Sequence, residues 1–229
     1  MNWYKKIIFS TRNLKFPEKI EEQIDEATHA AVNYYFSNNQ EKTYQGSFTY
    51  VNPYGKKDKP IPILTHPYTI ENINEIANFN PQHRLINVFP YHHNLRDVNP
   101  TSLFNYLKPF IYHEFAHAVD PKFLIPEWWR GRENIPYYEK EEEFDAYSKQ
   151  MELIIQSNLN KDNTNEFKKW ITSTDILSMP QYLNYFYNII ENWRTYKPEY
   201  IKLLRQRLYN SFIRSKEDVV PKENKKRPL

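Results

Sequence analysis

From Thr101 onward the apolar residues recur at spacings of three and four, in stretches that prolines open or close. This pattern commits the C-terminal part of the chain to helices. The first stretch starts at Thr101 or Ser102, either of which can cap it, and carries Leu103, Leu107, Phe110, Ile111, Phe115 and Ala118. Pro109 lies inside it and removes the bond to the Asn105 carbonyl, which predicts a kink or a fresh helix start. Asp120-Pro121 closes it, and a loop rich in Pro and Trp follows to Pro136. A long helix is expected over about 138–158, then three more over about 164–172, 180–194 and 198–215. Pro180 and Pro198 stand at the starts of the last two, where a missing N–H costs nothing.

The N-terminal part reads differently. A helix over 17–37 is expected, with Ile20, Ile24, Ala27, Ala31 and Tyr34 on one stripe. Residues 46–64 read as a hairpin: a strand at Gly46–Val51, a charged turn at Asn52–Pro60 and a strand at Ile61–Leu64, which Pro62 marks as an edge strand or a short one. A short helix at 69–77 and a strand at Arg84–Phe89, ended by Pro90, complete the pattern. The expected class is α+β, helix-dominated, with a small and mostly antiparallel N-terminal sheet. Only 3 of 229 residues are glycine, which argues against a barrel, a sandwich or a glycine loop for phosphate. Neither GxGxxG nor GxxxxGK occurs. The expected organisation is one domain over 1–215, with a core at about 84–150, a helical part at 160–215 and a basic tail at 216–229.

Charge and cysteine content exclude several functions. The formal charge is +3, and the segment Arg214–Leu229 alone holds six basic and three acidic residues, a difference of +3. The rest of the chain is therefore neutral, without the basic face that nucleic-acid binding requires. With no cysteine there is no disulfide framework, no thiolate zinc finger and no thiol catalysis. The apolar run in Met1–Ser10 spans three residues, too short for a Sec signal peptide, and no apolar stretch reaches membrane-spanning length. A soluble protein, cytoplasmic or otherwise, with no membrane partner is expected; the sequence sets no oligomeric state.

The residues that point to chemistry are His113, Glu114 and His117 in the run His-Glu-Phe-Ala-His. Histidines four apart on a helix stack one turn apart on one face, so both imidazoles reach a single ion. The glutamate after the first histidine then lies beside the water at that ion, as a general base. A catalytic zinc site takes three protein ligands, and a second helix is the usual source of the third. Glu143 lies 26 residues after His117, which leaves room for a loop and an antiparallel return. It shares a helix face with Ala146, beside a stripe of Phe144, Tyr147, Met151 and Ile155, whereas Glu139, Lys140 and Glu141 read as solvated. Asp120, Glu142 and Asp145 are rival third ligands. Tyr137 and Tyr138, just before this helix, are candidate donors to a developing oxyanion. His29, His66, His83, His92 and His93 have no partner pattern, and Trp128 and Trp129 read as core or lid.

The run His-Glu-Phe-Ala-His-Ala-Val-Asp followed by Glu-Phe-Asp-Ala resembles the gluzincin metallopeptidases. It is closest to the anthrax lethal factor catalytic domain and its relatives, and similar to the ImmA-type metallopeptidases. The resemblance covers about 84–150 and implies a zincin-like fold and one Zn2+ held by His113, His117 and Glu143. It also implies Glu114 as base, a tyrosine donor before the third ligand, and a peptide or protein substrate. In gluzincins an edge strand before the active helix pairs with extended substrate, and Arg84–Phe89 is expected to correspond to it. Two other readings stay open: a non-catalytic interaction module on the same scaffold, and a metal-dependent amidase acting on a non-protein substrate.

Overall fold

The computed structural model describes residues 18–37, 44–48, 61–66, 76–90, 98–119, 134–160 and 163–214. They form two compact units, divided between Ser157 and Asn158. The expected turn at 52–60 and the basic tail lie outside the described residues.

In the first unit, helix α1 (Glu18–Phe36) buries Ile24, Ala31 and Tyr34, as its stripe predicts, together with Val32 beside it. Four short strands follow: β1 (Tyr44–Phe48), β2 (Ile61–Thr65), β3 (Ala77–Asn80) and β4 (Leu85–Val88). They make one sheet in the order β1-β2-β4-β3. β1 and β2 pair antiparallel, β2 and β4 parallel, β3 and β4 antiparallel, so the sheet is mostly antiparallel, as expected. β2 is short but not an edge. Its parallel pairing with β4 runs over Ile63–Thr65, which leaves Pro62 outside that ladder.

β3 is the element that periodicity did not predict. The helix expected over 69–77 falls largely on residues outside those described, and where it is described Ile76 is a bend and Ala77 begins β3. The segment Ala-Asn-Phe-Asn has weak intrinsic strand preference, and the hairpin supplies what propensity does not. Asn80 Oδ1 accepts from the Gln82 and His83 amides at 3.0 and 3.1 Å. Arg84, at φ 48°, takes the left-handed conformation that returns the chain into β4. Ala77 and Phe79 lie opposite Val88 and Ile86 and pack against the core. On the other face Asn87 Nδ2 donates to Asn78 Oδ1 at 2.7 Å, and Asn87 Oδ1 pairs with His66 Nε2 at 2.7 Å.

Helix α2 (Pro100–Val119) lies against the sheet. Its cap is Asn99, not Thr101 or Ser102: Asn99 Oδ1 accepts from the Ser102 amide at 2.9 Å, and Pro100 takes the first helical position. The helix runs on through Pro109 without a fresh start. Leu103, Leu107, Phe110, Ile111, Phe115 and Ala118 share one core with Ile24, Val32, Ile61, Ile63, Ile86 and Val88. Each large apolar side chain buried there contributes about 1.5–3 kcal/mol. Helix α3 (Glu141–Asn158) starts three residues later than expected, because Tyr137–Glu139 form a 3-10 turn and Lys140 is extended at ψ 138°. Its first turn carries Glu141, Glu142 and Glu143, the charge that the positive end of a helix dipole favours.

The second unit is helical. α4 (Thr164–Thr172) is followed by a 3-10 segment at Gln181–Phe186, then α5 (Tyr187–Tyr196) and α6 (Pro198–Tyr209), which ends in a π turn at Asn210–Arg214. Phe167, Trp170, Leu183, Phe186, Ile190, Trp193, Leu204 and Leu208 are buried in it. Among the described residues no helix is long and apolar enough to cross a membrane.

Candidate metal centre

His113 and His117 project from one face of α2 and are both buried, at 4% and 5% exposure. Their Nε2 atoms are 3.0 Å apart. Glu143, in the first turn of α3 and 1% exposed, brings Oε2 to 3.4 Å from His117 Nε2 and 3.7 Å from His113 Nε2. The three ligand atoms lie within 4.8 Å of one another, so the group can hold a metal ion.

The electrostatics favour a cation between them. Glu143 Oε2 is buried without a hydrogen-bond donor. A carboxylate oxygen so placed is costly unless a proton or a metal meets it. The adjacent protons are scarce: burial, then the neighbouring His117, holds His113 well below its ordinary pKa of 6.5, and a weaker contribution from Gln150 opposes them. Two imidazoles and a buried carboxylate oxygen without a donor form a set suited to a divalent cation.

Glu114 points away from the ligands' own hydrogen bonds and toward the sheet. Its Oε2 accepts from the Phe79 backbone N–H at 2.8 Å, and its Oε1 is 4.0 Å from His113 Nε2. This contact identifies the strand that borders the site. β4, expected to be the edge, is interior, flanked by β2 and β3; among the described strands β3 is the edge on that side. The Phe89 amide bonds the Ile76 carbonyl at 2.8 Å, so the alternation of an antiparallel ladder turns the backbone groups of Asn78 and Asn80 toward β4. Those of Ala77 and Phe79 face outward, which is how the Phe79 N–H reaches Glu114.

Tyr137 keeps 48% of its surface exposed, yet its hydroxyl end is crowded. Burial, the Glu143 carboxylate, Tyr147, a hydrogen bond to Glu143 and the Glu114 carboxylate all raise its pKa above the usual tyrosine range. The hydroxyl therefore stays protonated, with its hydrogen bond directed to Glu143 beside the cluster. Tyr138 instead packs its ring against Tyr137 and Tyr147, with centroids at 5.3 and 6.1 Å. The two adjacent tyrosines thus have different surroundings.

Of the rival ligands, Glu142 is buried and Asp145 half-buried, but neither joins the cluster; Asp120 lies outside the described residues, as do His92, His93, Trp128 and Trp129. Glu139, Lys140 and Glu141 are half-buried rather than solvated. His66 stacks on Phe89 at 5.0 Å, the exposed His29 lies on Phe104 at 4.4 Å, and His83 is exposed in the β3–β4 turn. Three neighbours of the site had no role in the sequence reading: Phe79, Gln150 and, beyond its apolar character, Tyr147. Tyr147 packs its ring on His113 at 4.4 Å. Its available signal was its spacing, four residues after Glu143 and so one turn along the same face. No protein-family model, curated protein or solved structure matches this chain.

Proposed function

We propose that the protein is a zinc-dependent metallopeptidase of gluzincin type, an endopeptidase acting on extended peptide or protein substrates. The observation that carries this reading is the convergence of His113, His117 and Glu143 with a further carboxylate, Glu114, beside them. A purely structural site has no use for that fourth group. The same donors suit ferrous iron; Glu114 beside the site favours hydrolysis and hence zinc. Bound zinc supplies Lewis acidity and lowers the pKa of its water to about 7.

The protein's own residues do the rest. Glu114 takes the proton of the attacking water and delivers it to the leaving amine. The Tyr137 hydroxyl donates to the oxygen that becomes negative in the transition state. β3 receives the substrate as an added strand, through the outward-facing backbone groups of Ala77 and the Phe79 carbonyl. The Phe79 N–H holds Glu114 beside that strand before substrate arrives.

The test combines metal analysis of the purified chain with cleavage of an unfolded protein, with and without a chelator, for wild type and Glu114→Gln. Stoichiometric zinc, chelator-sensitive cleavage and an inactive but zinc-loaded variant are expected. Zinc without cleavage favours an interaction module. Cleavage that Glu114→Gln leaves intact overturns the mechanism, and absence of a bound metal overturns the reading as a whole.

A further inference from the structure

The α3 residues that face His113 recur at 143, 147 and 150, the spacing of one helical stripe. Glu143 brings its carboxylate to the ligand side of the imidazole, and Tyr147 lays its ring on it at 4.4 Å. Gln150, 1% exposed, continues the stripe. A glutamine so completely buried in a helix face is costly unless its amide has a partner. Its Oε1 has no hydrogen-bond partner, and neither has His113 Nδ1, also buried. One atom is an acceptor and the other, in one tautomer, a donor. They are complementary groups, one on each helix, and the Gln150 amide lies near enough to stabilise added positive charge on the His113 ring.

We propose that Gln150 is a positioning residue for the metal centre: its Oε1 accepts the Nδ1–H of His113 and so reserves Nε2 as the lone-pair nitrogen. The hydrogen bond on the far nitrogen sets which nitrogen of a histidine is free to ligate. Here an uncharged amide has that role, so the site gains orientation without a second buried carboxylate beside Glu143. The choice of tautomer also sets the direction of the 3.0 Å contact between the two Nε2 atoms. With His113 protonated at Nδ1, its Nε2 accepts, and His117 is the donor in the metal-free protein.

The inference rests on His113 being a metal ligand, and two measurements separate its fate from that of the peptidase reading. Long-range proton–nitrogen NMR on the metal-free full chain is expected to show His113 as the Nδ1–H tautomer and His117 as the Nε2–H tautomer. Zinc affinity, by competition with a chromophoric chelator, is expected to fall about 10–100-fold in Gln150→Met, and to be restored in Gln150→Glu, which keeps an acceptor. An Nε2–H tautomer at His113 in wild type overturns the proposal, as does a Gln150→Met protein that binds zinc within twofold of wild type. If Gln150→Met does not fold, the wild-type tautomer and the Gln150→Glu affinity decide. A wild-type chain that binds zinc but cleaves no peptide sinks the peptidase reading alone, while the tautomer and the zinc affinity still answer for Gln150; a chain that binds no zinc overturns both.

Discussion

The two units bury different kinds of residue. In the second, the described core is Phe167, Trp170, Ile171, Leu183, Phe186, Ile190, Trp193, Leu204 and Leu208, and the buried Trp170 indole donates to the Ile176 carbonyl at 2.8 Å. In the first, an equally apolar core stands beside His113, His117, Glu142, Glu143, Ser148 and Gln150, all buried on α2 and α3. Among the described residues every buried polar or charged side chain belongs to the first unit. A core built for stability pairs or excludes such groups, so on the proposed reading their concentration on α2 and α3 is stability given up for metal binding and catalysis. Substitutions in the two units should therefore fail in different ways: in the first by loss of rate or metal, in the second by loss of fold.

The largest separation is expected at Glu114. Glu114→Gln should lower kcat by about 10²–10⁴-fold or more, with zinc content and thermal stability near wild type. Steady-state cleavage and metal analysis on one preparation check this, and a variant that loses zinc along with rate would make Glu114 a ligand instead of a base. The converse is expected at Trp193, fully buried in the second unit. Trp193→Ala should cost about 3–5 kcal/mol of unfolding free energy, read from denaturant titration. A loss below about 1 kcal/mol would show that this core is not close-packed.

Tyr137→Phe follows in size. Loss of one donor to a developing oxyanion typically costs about 10²–10³ in kcat, with KM and zinc affinity little changed. Tyr138→Phe should cost far less, because the Tyr138 ring packs on Tyr137 and Tyr147. Equal losses at the two positions would remove the distinction drawn between them.

Glu143 tests the exchange of stability for chemistry directly. Its Oε2 is buried without a hydrogen-bond donor. Glu143→Gln supplies an amide where a lone pair faces the histidines, so the metal-free variant should be as stable as wild type or more stable, by about 1–3 kcal/mol. Its zinc affinity should drop by more than tenfold. Thermal melts with and without zinc decide: a variant destabilised in both states would mean that Glu143 is held by partners other than the metal.

Which parts were legible in the sequence follows from the kind of signal each carries. The helices were legible because apolar spacing and proline punctuation are local; α4 and α6 begin at or beside their expected starts, and α2 one residue before its. The grouping of His113, His117 and Glu143 was legible because four residues on a helix is a geometric statement, and because Glu143 opens a helix with a buried face. β3 was not: Asn78 and Asn80 disfavour a strand, and only pairing with β4 and the Arg84 turn makes one. The edge of the sheet was misassigned for the same reason, since strand order depends on long-range pairing that no local pattern encodes. Gln150 was overlooked because a polar residue in an apolar stripe reads as noise until the atom it faces is known.

The smallest expected effect is a pH dependence in the metal-free chain. Burial and His117 hold His113 below its ordinary pKa of 6.5 in the folded state, while the unfolded chain titrates near that ordinary value. As pH falls through about 6.5, the unfolded state therefore binds the proton first, and stability falls with it. The contribution is fully present above the unfolded pKa and is lost progressively down to the folded one. Chemical denaturation of the metal-free protein between about pH 7.5 and 5.5 should show this decline, and His113→Asn should flatten it. No such feature is expected from the second unit, whose described residues include no histidine. A decline that His113→Asn leaves unchanged would assign the acid sensitivity to other groups and remove His113's burial as its cause.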